Sequence, residues 1–384
     1  MDLEAVAGLG ELLPALEGLA PAYLVGGAVR DLLRGADHVD LDVAVEGDAL
    51  AVARTLAERL GGVAVEHDRF GTATVTAPEL TFDLATTRRE RYPAPGALPE
   101  VEPAPLAADL ARRDFTVNAL ALGLSSGDRG RLHDPHGGRD DLERGIVRVL
   151  HDRSFIDDPT RLLRALRYEA RLGGRLDAHT EDLASDAIAD GALATVSGAR
   201  IRDELLDLLR EPAAIARMHE IGLDRALQLR ADPDVVASAQ LASAETGADP
   251  VLAALAAMAP EALDELQLNR DTYNRVATAV TAAPRLVREL QGTSASQTYD
   301  LLHGLPAEAL ALALALGAPG EPILRYVADL AHVRLAITGD DLIAAGVPQS
   351  PAIGAALRET LRRKLDGEVS GRDEELRLAL SLVP

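Results

Sequence analysis

The sequence predicts an α+β protein, with an N-terminal mixed-sheet head followed by helices to the C-terminus. Three observations carry this. Short apolar or alternating runs broken by Gly fill roughly the first 150 residues. Strand-like alternation then disappears. Beyond that point Ala, Leu, Arg and Glu dominate at helical spacing, and Ala and Leu are strong helix formers. A chain of 384 residues with 47% hydrophobic content is too long for one small core and implies two to four packed units.

Each element has its own signature. AYLVGG (22–27) is a short apolar run ending in Gly, which reads as a strand. AVRDLLRG (28–35) has helical spacing and a Gly stop. VDLDVAV (39–45) alternates strictly, as a strand with two distinct faces does. DALAVARTLAERLGG (48–62) is helical. VAVEH (63–67), GTATVTA (71–77) and LTFDLA (80–85) read as strands, giving one open sheet of about five. RERYPAPGALPEVEPAP (89–105) holds five Pro and little periodicity; it is either a linker or a mobile loop beside an active site. From there the expected division is a head at 1–148, a helical neck at 149–212, a helical body at 213–334 and a helical tail at 335–384.

Composition removes whole classes of function. With no Cys there is no disulfide, zinc-thiolate site or thiol nucleophile. The acidic, amphipathic N-terminus lacks the basic region of a signal peptide, and no run of about 18 uncharged apolar residues exists. A cytoplasmic protein without a membrane span is expected. The net charge of −22 argues by itself against nucleic acid. The positive charge is unevenly placed, however: nine Arg face seven acidic residues between Arg139 and Arg175, so local patches outweigh the global sign.

The chemistry starts at Asp40-Leu41-Asp42. In a strand, residues i and i+2 share a face, so the two carboxylates stand side by side. A hard divalent ion with a preference for oxygen, Mg²⁺, relieves their repulsion. A solvated edge face is the alternative. Earlier, Leu24-Val25-Gly26-Gly27-Ala28-Val29-Arg30 takes a strand through two glycines directly into a helix. Amides at such a start lack intrahelical acceptors and can hold phosphate, and Arg30 adds a charge. A plain tight turn is the alternative. Together, a phosphate cradle about a dozen residues before a carboxylate pair is what nucleotidyl transfer requires. Asp83, on a later strand, is the candidate third acid.

Four stretches, in order, then resemble the class II tRNA nucleotidyltransferase and bacterial poly(A) polymerase family of the DNA polymerase beta superfamily. They are LVGGAVRDLLRG…VDLDVAV; Arg112 to Ala119 (RRDFTVNA); Asp134-Pro135 with Gly137-Gly138 and Asp141-Leu142; and Asp158-Pro159-Thr160-Arg161 with Arg164 and Arg167. GDDLIAAGVPQSPAIGAAL (339–357) extends the likeness weakly into the tail. The resemblance supports Asp40 and Asp42 as catalytic and on the metal; Asp83 stays the candidate third catalytic acid, with a buried or merely exposed strand Asp as the alternative. It implies that Arg113 and Asp114 meet ribose and triphosphate, with Asn118 beside them. Asp114 also reads as an N-cap to a helix through FTVNALAL.

The resemblance further implies that Asp158 and Arg161 select the base. Cytosine and adenine both offer an amino donor beside an unprotonated ring nitrogen, which a carboxylate and a guanidinium match. Uracil and guanine mismatch both contacts. Arg161, Arg164 and Arg167 repeat at i, i+3 and i+6, a repulsive ridge that bound phosphate or base offsets. Surface pairs of Arg161 with Asp157 and Asp158 are the alternative. The motif usually opens Glu-Asp, and here it is Asp157-Asp158. The implied activity is CCA addition to tRNA from CTP and ATP, with the acceptor arm as partner. HDRFGTATV (67–75) and RRERYPAPGALPEV (88–101) resemble the CCA-adding branch. Poly(A) polymerase, CC-only or A-only enzymes and a silent RNA-binding homologue are the alternatives. The His-Asp pairs at 67–68, 133–134 and 151–152 invite a phosphohydrolase reading, but two of the three fall in predicted strand or turn segments rather than on helices.

Overall fold

The computed structural model describes residues 3, 6–36, 39–67, 71–258 and 263–383. The chain separates into two compact units, Met1–Ala226 and Leu227–Pro384.

The first unit opens with α1 (Leu9–Ala15), β1 (Ala22–Val25), α2 (Gly27–Leu33), β2 (Leu41–Val45) and α3 (Ala49–Leu60). β3 (Val63–His67), β4 (Thr72–Ala77) and β5 (Leu80–Thr86) follow. Next come β6 (Arg88–Arg91), β7 (Glu100–Pro103), α4 (Leu106–Ala111), β8 (Ala121–Gly123) and β9 (Leu132–His133). The main sheet has seven strands in the order β3-β4-β5-β2-β1-β8-β9. β2 and β5 are parallel, and the other neighbours are antiparallel. The two strands beyond the expected five, β8 and β9, are three and two residues long, too short for alternation to mark them.

One face of this sheet is the core. Leu41, Val43 and Val45 of β2, Ala73 and Val75 of β4, and Phe82 and Leu84 of β5 pack beneath α1, α2 and α3. α3 forms because Ala49, Val52, Ala53, Leu56 and Ala57 make one buried stripe. Asp48 caps its first turn by accepting from Leu50 and Ala51, and Gly61 ends it in the left-handed region. By alternation the opposite face carries Asp42, Thr74 and Asp83. It is partly covered where Tyr23, Val25, Ala44 and Ala121 meet Leu106 and Leu110 of α4.

The Pro-rich segment is a two-stranded hairpin of β6 with β7, so the linker reading is corrected. Its tip is anchored: Gly96 donates to the Ile156 carbonyl at 3.2 Å and accepts from Arg200 at 2.8 Å. No helix runs through FTVNALAL either. Thr116–Asn118 is one 3₁₀ turn leading to β8, so Asp114 caps no α-helix.

The unit continues with α5 (Gly138–Glu143), β10 (Ile146–Val147), α6 (Ser154–Asp157), α7 (Arg161–Leu172), β11 (Arg175–Leu176) and α8 (Ala178–Ala189). It closes with α9 (Gly198–Leu208), α10 (Pro212–Glu220) and α11 (Leu223–Ala226). β10 and β11 pair in parallel, a small exception to the expected all-helical neck. α7 packs against both α9 and α10, which is why the compact unit runs on to Ala226, past the expected boundary at 212.

The second unit is helical: α12 (Pro233–Thr246), α13 (Pro250–Ala257), α14 (Arg270–Glu289), α15 (Ala295–Leu302), α16 (Ala307–Ala315), α17 (Gly320–Ala328), α18 (Gly339–Ala344), α19 (Pro351–Leu365) and α20 (Arg372–Ser381). Small residues let these helices approach closely, as Ala239, Ala253 and Ala311 do at one contact. No described helix is long and apolar enough to cross a membrane.

Candidate active site

The parallel register of β2 and β5 places Asp42 beside Asp83. This differs from the expected geometry. β2 begins at Leu41, and the Asp42 amide donates to the Asp40 carbonyl at 3.1 Å, so Asp40 lies in a tight turn before the strand. The in-sheet neighbour of Asp42 is therefore Asp83. Burial pushes the Asp42 carboxyl up; Asp83 adds to that, Arg113 opposes it, and Asp40 adds again. Asp42 and Asp83, with Asp40 near Asp42, offer the oxygen donors that a hard divalent cation takes, although among the described residues no three such side chains stand close enough together to form a ready-made metal site. Thr74 Oγ1 holds Asp83 by donating to Oδ1 at 2.6 Å.

Next to Asp42 opens a cavity of about 400 Å³. Gly26, Gly27, Arg30, Arg113, Asp114, Asn118, Asp158, Arg161 and Arg164 all line it, so of the expected nucleotide-binding residues only Arg167 stands outside. Gly26 ends β1 with φ 67°, and a Cβ there would lie 2.6 Å from Arg113 Nη1. That is why glycine is needed at this turn. Arg113 Nη2 donates to Asp109 at 3.0 Å, while its buried Nε has no protein partner among the described residues.

Arg30 is not a free cation. It is buried, and it donates to both oxygens of Asp31 at 2.8 Å and to Asn118 Oδ1 at 2.6 Å. Asn118 in turn donates to Asp114 Oδ1 at 2.9 Å, and Arg164 Nε donates to Asp114 Oδ2 at 2.9 Å. Burial alone would raise the Asp114 carboxyl. Arg164 and Asn118 outweigh it and hold the group at about 2. Tyr168, which the sequence reading did not single out, centres this network. Arg30, Arg164 and Arg167 lie 5.1, 5.6 and 5.4 Å from its ring centroid, and Phe115 meets it edge-on.

The arginine ridge on α7 is mostly neutralised within the protein. Arg164 pairs with Asp114 and Glu204, and Arg167 with Glu204 and Asp207. Arg161 is the exception. It is 4% exposed and has no carboxylate in ion-pair reach among the described residues. It donates to Ser154 Oγ at 2.8 Å, the Arg112 carbonyl at 3.0 Å and Tyr92 Oη at 3.4 Å. The alternative of surface pairs from Arg161 to Asp157 and Asp158 is not realised. Asp157 pairs with Arg153 at 2.9 Å, and Asp158 pairs with Arg200 at 2.8 Å. The donors to Asp158 all fall on Oδ1: Thr160 N, Thr160 Oγ1 and Arg200 Nη2. Oδ2 is left without a partner among the described residues.

Sequence reasoning also missed Glu90, Tyr92 and Arg112, which line the same cavity. Glu90 accepts from Arg112 at 2.8 Å and from Tyr92 Oη at 3.2 Å. The Arg-Glu alternation of β6 was the available signal, masked by the surrounding prolines. The His-Asp pairs at 133–134 and 151–152 serve separate local contacts. His133 pairs with Asp128, Asp134 accepts from the α5 amides of Gly138 and Arg139, and Asp152 pairs with His179. Asp68 lies outside the described residues.

A carboxylate pair on a mixed sheet beside an arginine-lined cavity defines a nucleotidyltransferase head. The Poly A polymerase head domain family matches residues 22–148. The CC-adding tRNA nucleotidyltransferase of Deinococcus radiodurans is 36% identical over 92% of this chain and 87% of that protein. The A-adding tRNA nucleotidyltransferase of Geobacter sulfurreducens is 36% identical over 97% of this chain but 46% of that protein; the chain spans about half the length, or less, of the A-adding relatives it matches. A solved CCA-adding enzyme in its apo form superposes with a TM-score of 0.82 at 32% identity, covering 94% of this chain and 91% of that one. The chain belongs to the tRNA nucleotidyltransferase family.

Proposed function

We propose that the protein adds CMP and AMP to the 3′ end of tRNA without a nucleic-acid template, building CCA by metal-dependent nucleotidyl transfer. The observation that carries this is the selector pair. Arg161 is a buried cation whose hydrogen bonds all go to neutral groups, and Asp158, whose Oδ2 has no partner among the described residues, lines the same cavity. A buried charge is costly unless something completes its partners. Cytosine or adenine does so, with the ring nitrogen accepting from Arg161 and the amino group donating to Asp158 Oδ2. Related enzymes described as complexes with CTP, with ATP and with tRNA support the choice of substrates.

Asp42 and Asp83, with Asp40 beside them, would hold Mg²⁺. Bound there, Mg²⁺ supplies charge neutralisation for the departing pyrophosphate and acidifies the attacking hydroxyl. The residues do the rest. Gly26 and Gly27 allow the triphosphate a close approach. Arg113, with an unsatisfied Nε, faces both Asp42 and the cavity. Asp114, Asn118 and Arg30 fix one another and so the cavity wall. The RNA 3′ oxygen bonds to the α-phosphorus as the bond to pyrophosphate breaks, and the hydroxyl proton passes to water. A second reading, addition of the terminal A alone, is favoured by the A-adding relatives, which match half of the chain or more at 36–47% identity.

Primer extension on tRNA ending before the first C, after the first C and after both decides between them, with each NTP alone and in pairs. Stepwise C, C, A and then a stop is expected. Incorporation on the CC-ended tRNA alone establishes the A-only enzyme, and a long A tail a poly(A) polymerase. Asp42→Ala abolishes incorporation and leaves tRNA binding intact. Normal turnover by that variant contradicts the metal assignment.

A further inference from the structure

Asp42 and Arg113 border two cavities. One is the selector cavity. The other, about 370 Å³, opens on the same sheet face and is lined by His67, Thr72, Thr74 and Asp83. Its walls come from the strand register: β3 sets His67 opposite Thr72, and β4 sets Thr74 opposite Asp83. His67 Nε2 lies 3.4 Å from Thr74 Oγ1, the hydroxyl that donates to Asp83.

The two linings differ in charge. The selector cavity has Arg30, Arg112, Arg161 and Arg164 besides Arg113; the second has Arg113 as its sole Arg or Lys among the described lining residues. A nucleoside triphosphate, carrying several negative charges, belongs with the arginines. Hydroxyls and an imidazole suit a sugar instead. Geometry points the same way. In phosphoryl transfer the attacking and leaving oxygens are roughly in line across the phosphorus. With the triphosphate among the arginines, the attacking hydroxyl must reach Asp42 by another route, and the second cavity also borders Asp42.

We infer that this second cavity seats the 3′-terminal ribose of the acceptor RNA, with Thr72 and His67 hydrogen-bonding its 2′-hydroxyl while the 3′-hydroxyl faces Asp42. This rests on the nucleotidyltransferase reading given above and adds to it the residues that recognise the sugar. The 2′-hydroxyl is the group by which a protein tells RNA from DNA at a given position. The recognition therefore falls on strand residues of β3 and β4.

The test uses the whole chain and tRNA lacking its last nucleotide, ended by ribose or by 2′-deoxyribose. The wild type should show KM for the deoxy-ended RNA raised by about threefold to tenfold, the range for one lost neutral hydrogen bond. Thr72→Val and His67→Ala should raise KM for the ribose-ended RNA to a similar extent. They should also lose the distinction between the two ends, while the dissociation constant of CTP, measured by equilibrium dialysis, stays unchanged. Variants that keep the wild-type ribose preference overturn the proposal, as does weakened CTP binding with RNA KM untouched. If the wild type incorporates nothing on either RNA, the functional reading itself fails and takes the proposal with it.

Discussion

At the scale of single residues, Arg161 and Asp114 show opposite ways of handling a buried charge. Arg161 keeps its charge with only neutral hydrogen-bond partners, which the proposed base contact would complete. Arg161→Ala should relax discrimination against UTP by about tenfold to a hundredfold, the range for one charge-assisted hydrogen bond. Binding of the triphosphate itself should fall far less. Misincorporation ratios for UTP against CTP measure this, and unchanged ratios count against base selection by Arg161. Asp114 is fully paired within the protein, so its effect is on stability. Its carboxyl is held at about 2, below the ordinary 3.8. A depressed carboxylate contributes stability that is fully present above the unfolded value and is lost as pH falls through the folded one. That contribution, about 2 kcal/mol, should therefore vanish between roughly pH 4 and pH 2. Asp114→Asn should flatten the denaturation free energy across that window. An equally steep acid limb in the variant would place the titration elsewhere.

At the scale of elements, what the sequence disclosed follows from how local each signal is. Strands β2, β4 and β5 and helix α3 were legible because each buries a periodic set of residues, whereas β1 is buried on both faces and β3 on neither, and these two were read from their short apolar or β-branched runs. The hairpin of β6 and β7 was not, because prolines hide its alternation and its support comes from distant residues, Ile156 and Arg200. Asp42 was legible as a candidate ligand. Its true neighbour was not, since parallel pairing of β2 with β5 is a tertiary fact that sets Asp83, rather than Asp40, across from it. The same holds at α7: the i, i+3, i+6 ridge was plain, but only the fold shows that Asp114, Glu204 and Asp207 neutralise two of the three arginines. The turn from β1 into α2 is the element most exposed to a small change. Gly26→Ala puts a β-carbon on a residue with φ 67° and drives it against Arg113. The backbone cost alone is about 1–2 kcal/mol. The urea midpoint should fall accordingly, with CTP binding weakened as Arg113 shifts. An unchanged midpoint would mean that the turn tolerates an ordinary residue.

At the scale of the molecule, net charge misleads and local placement decides. A chain at −22 still places five arginines around one cavity, four of which, Arg30, Arg112, Arg113 and Arg164, are paired with acidic side chains of the first unit. The second unit uses charge differently. Glu308 of α16 is fully buried, accepts from the Asp249 amide at 3.1 Å and pairs with Arg275 of α14. Burial alone would raise its carboxyl, but Arg275 and the backbone donors keep it low. It thus ties α14, α16 and the start of α13 together, at a distance in sequence from every residue of the nucleotide cavity. Removing one partner of a buried pair leaves the other uncompensated and costs about 3–5 kcal/mol; here Arg275 is half-buried, so the lower end applies. Glu308→Gln keeps the shape and one acceptor oxygen. It should lower the thermal midpoint clearly while leaving the CTP dissociation constant as it is. Scanning calorimetry with and without saturating CTP separates the two effects, since a ligand raises the stability only of what it binds. A Glu308→Gln protein with wild-type melting would show that Arg275 and Asp249 find other partners. One with weakened CTP affinity would show that the helical unit bears on the nucleotide site after all.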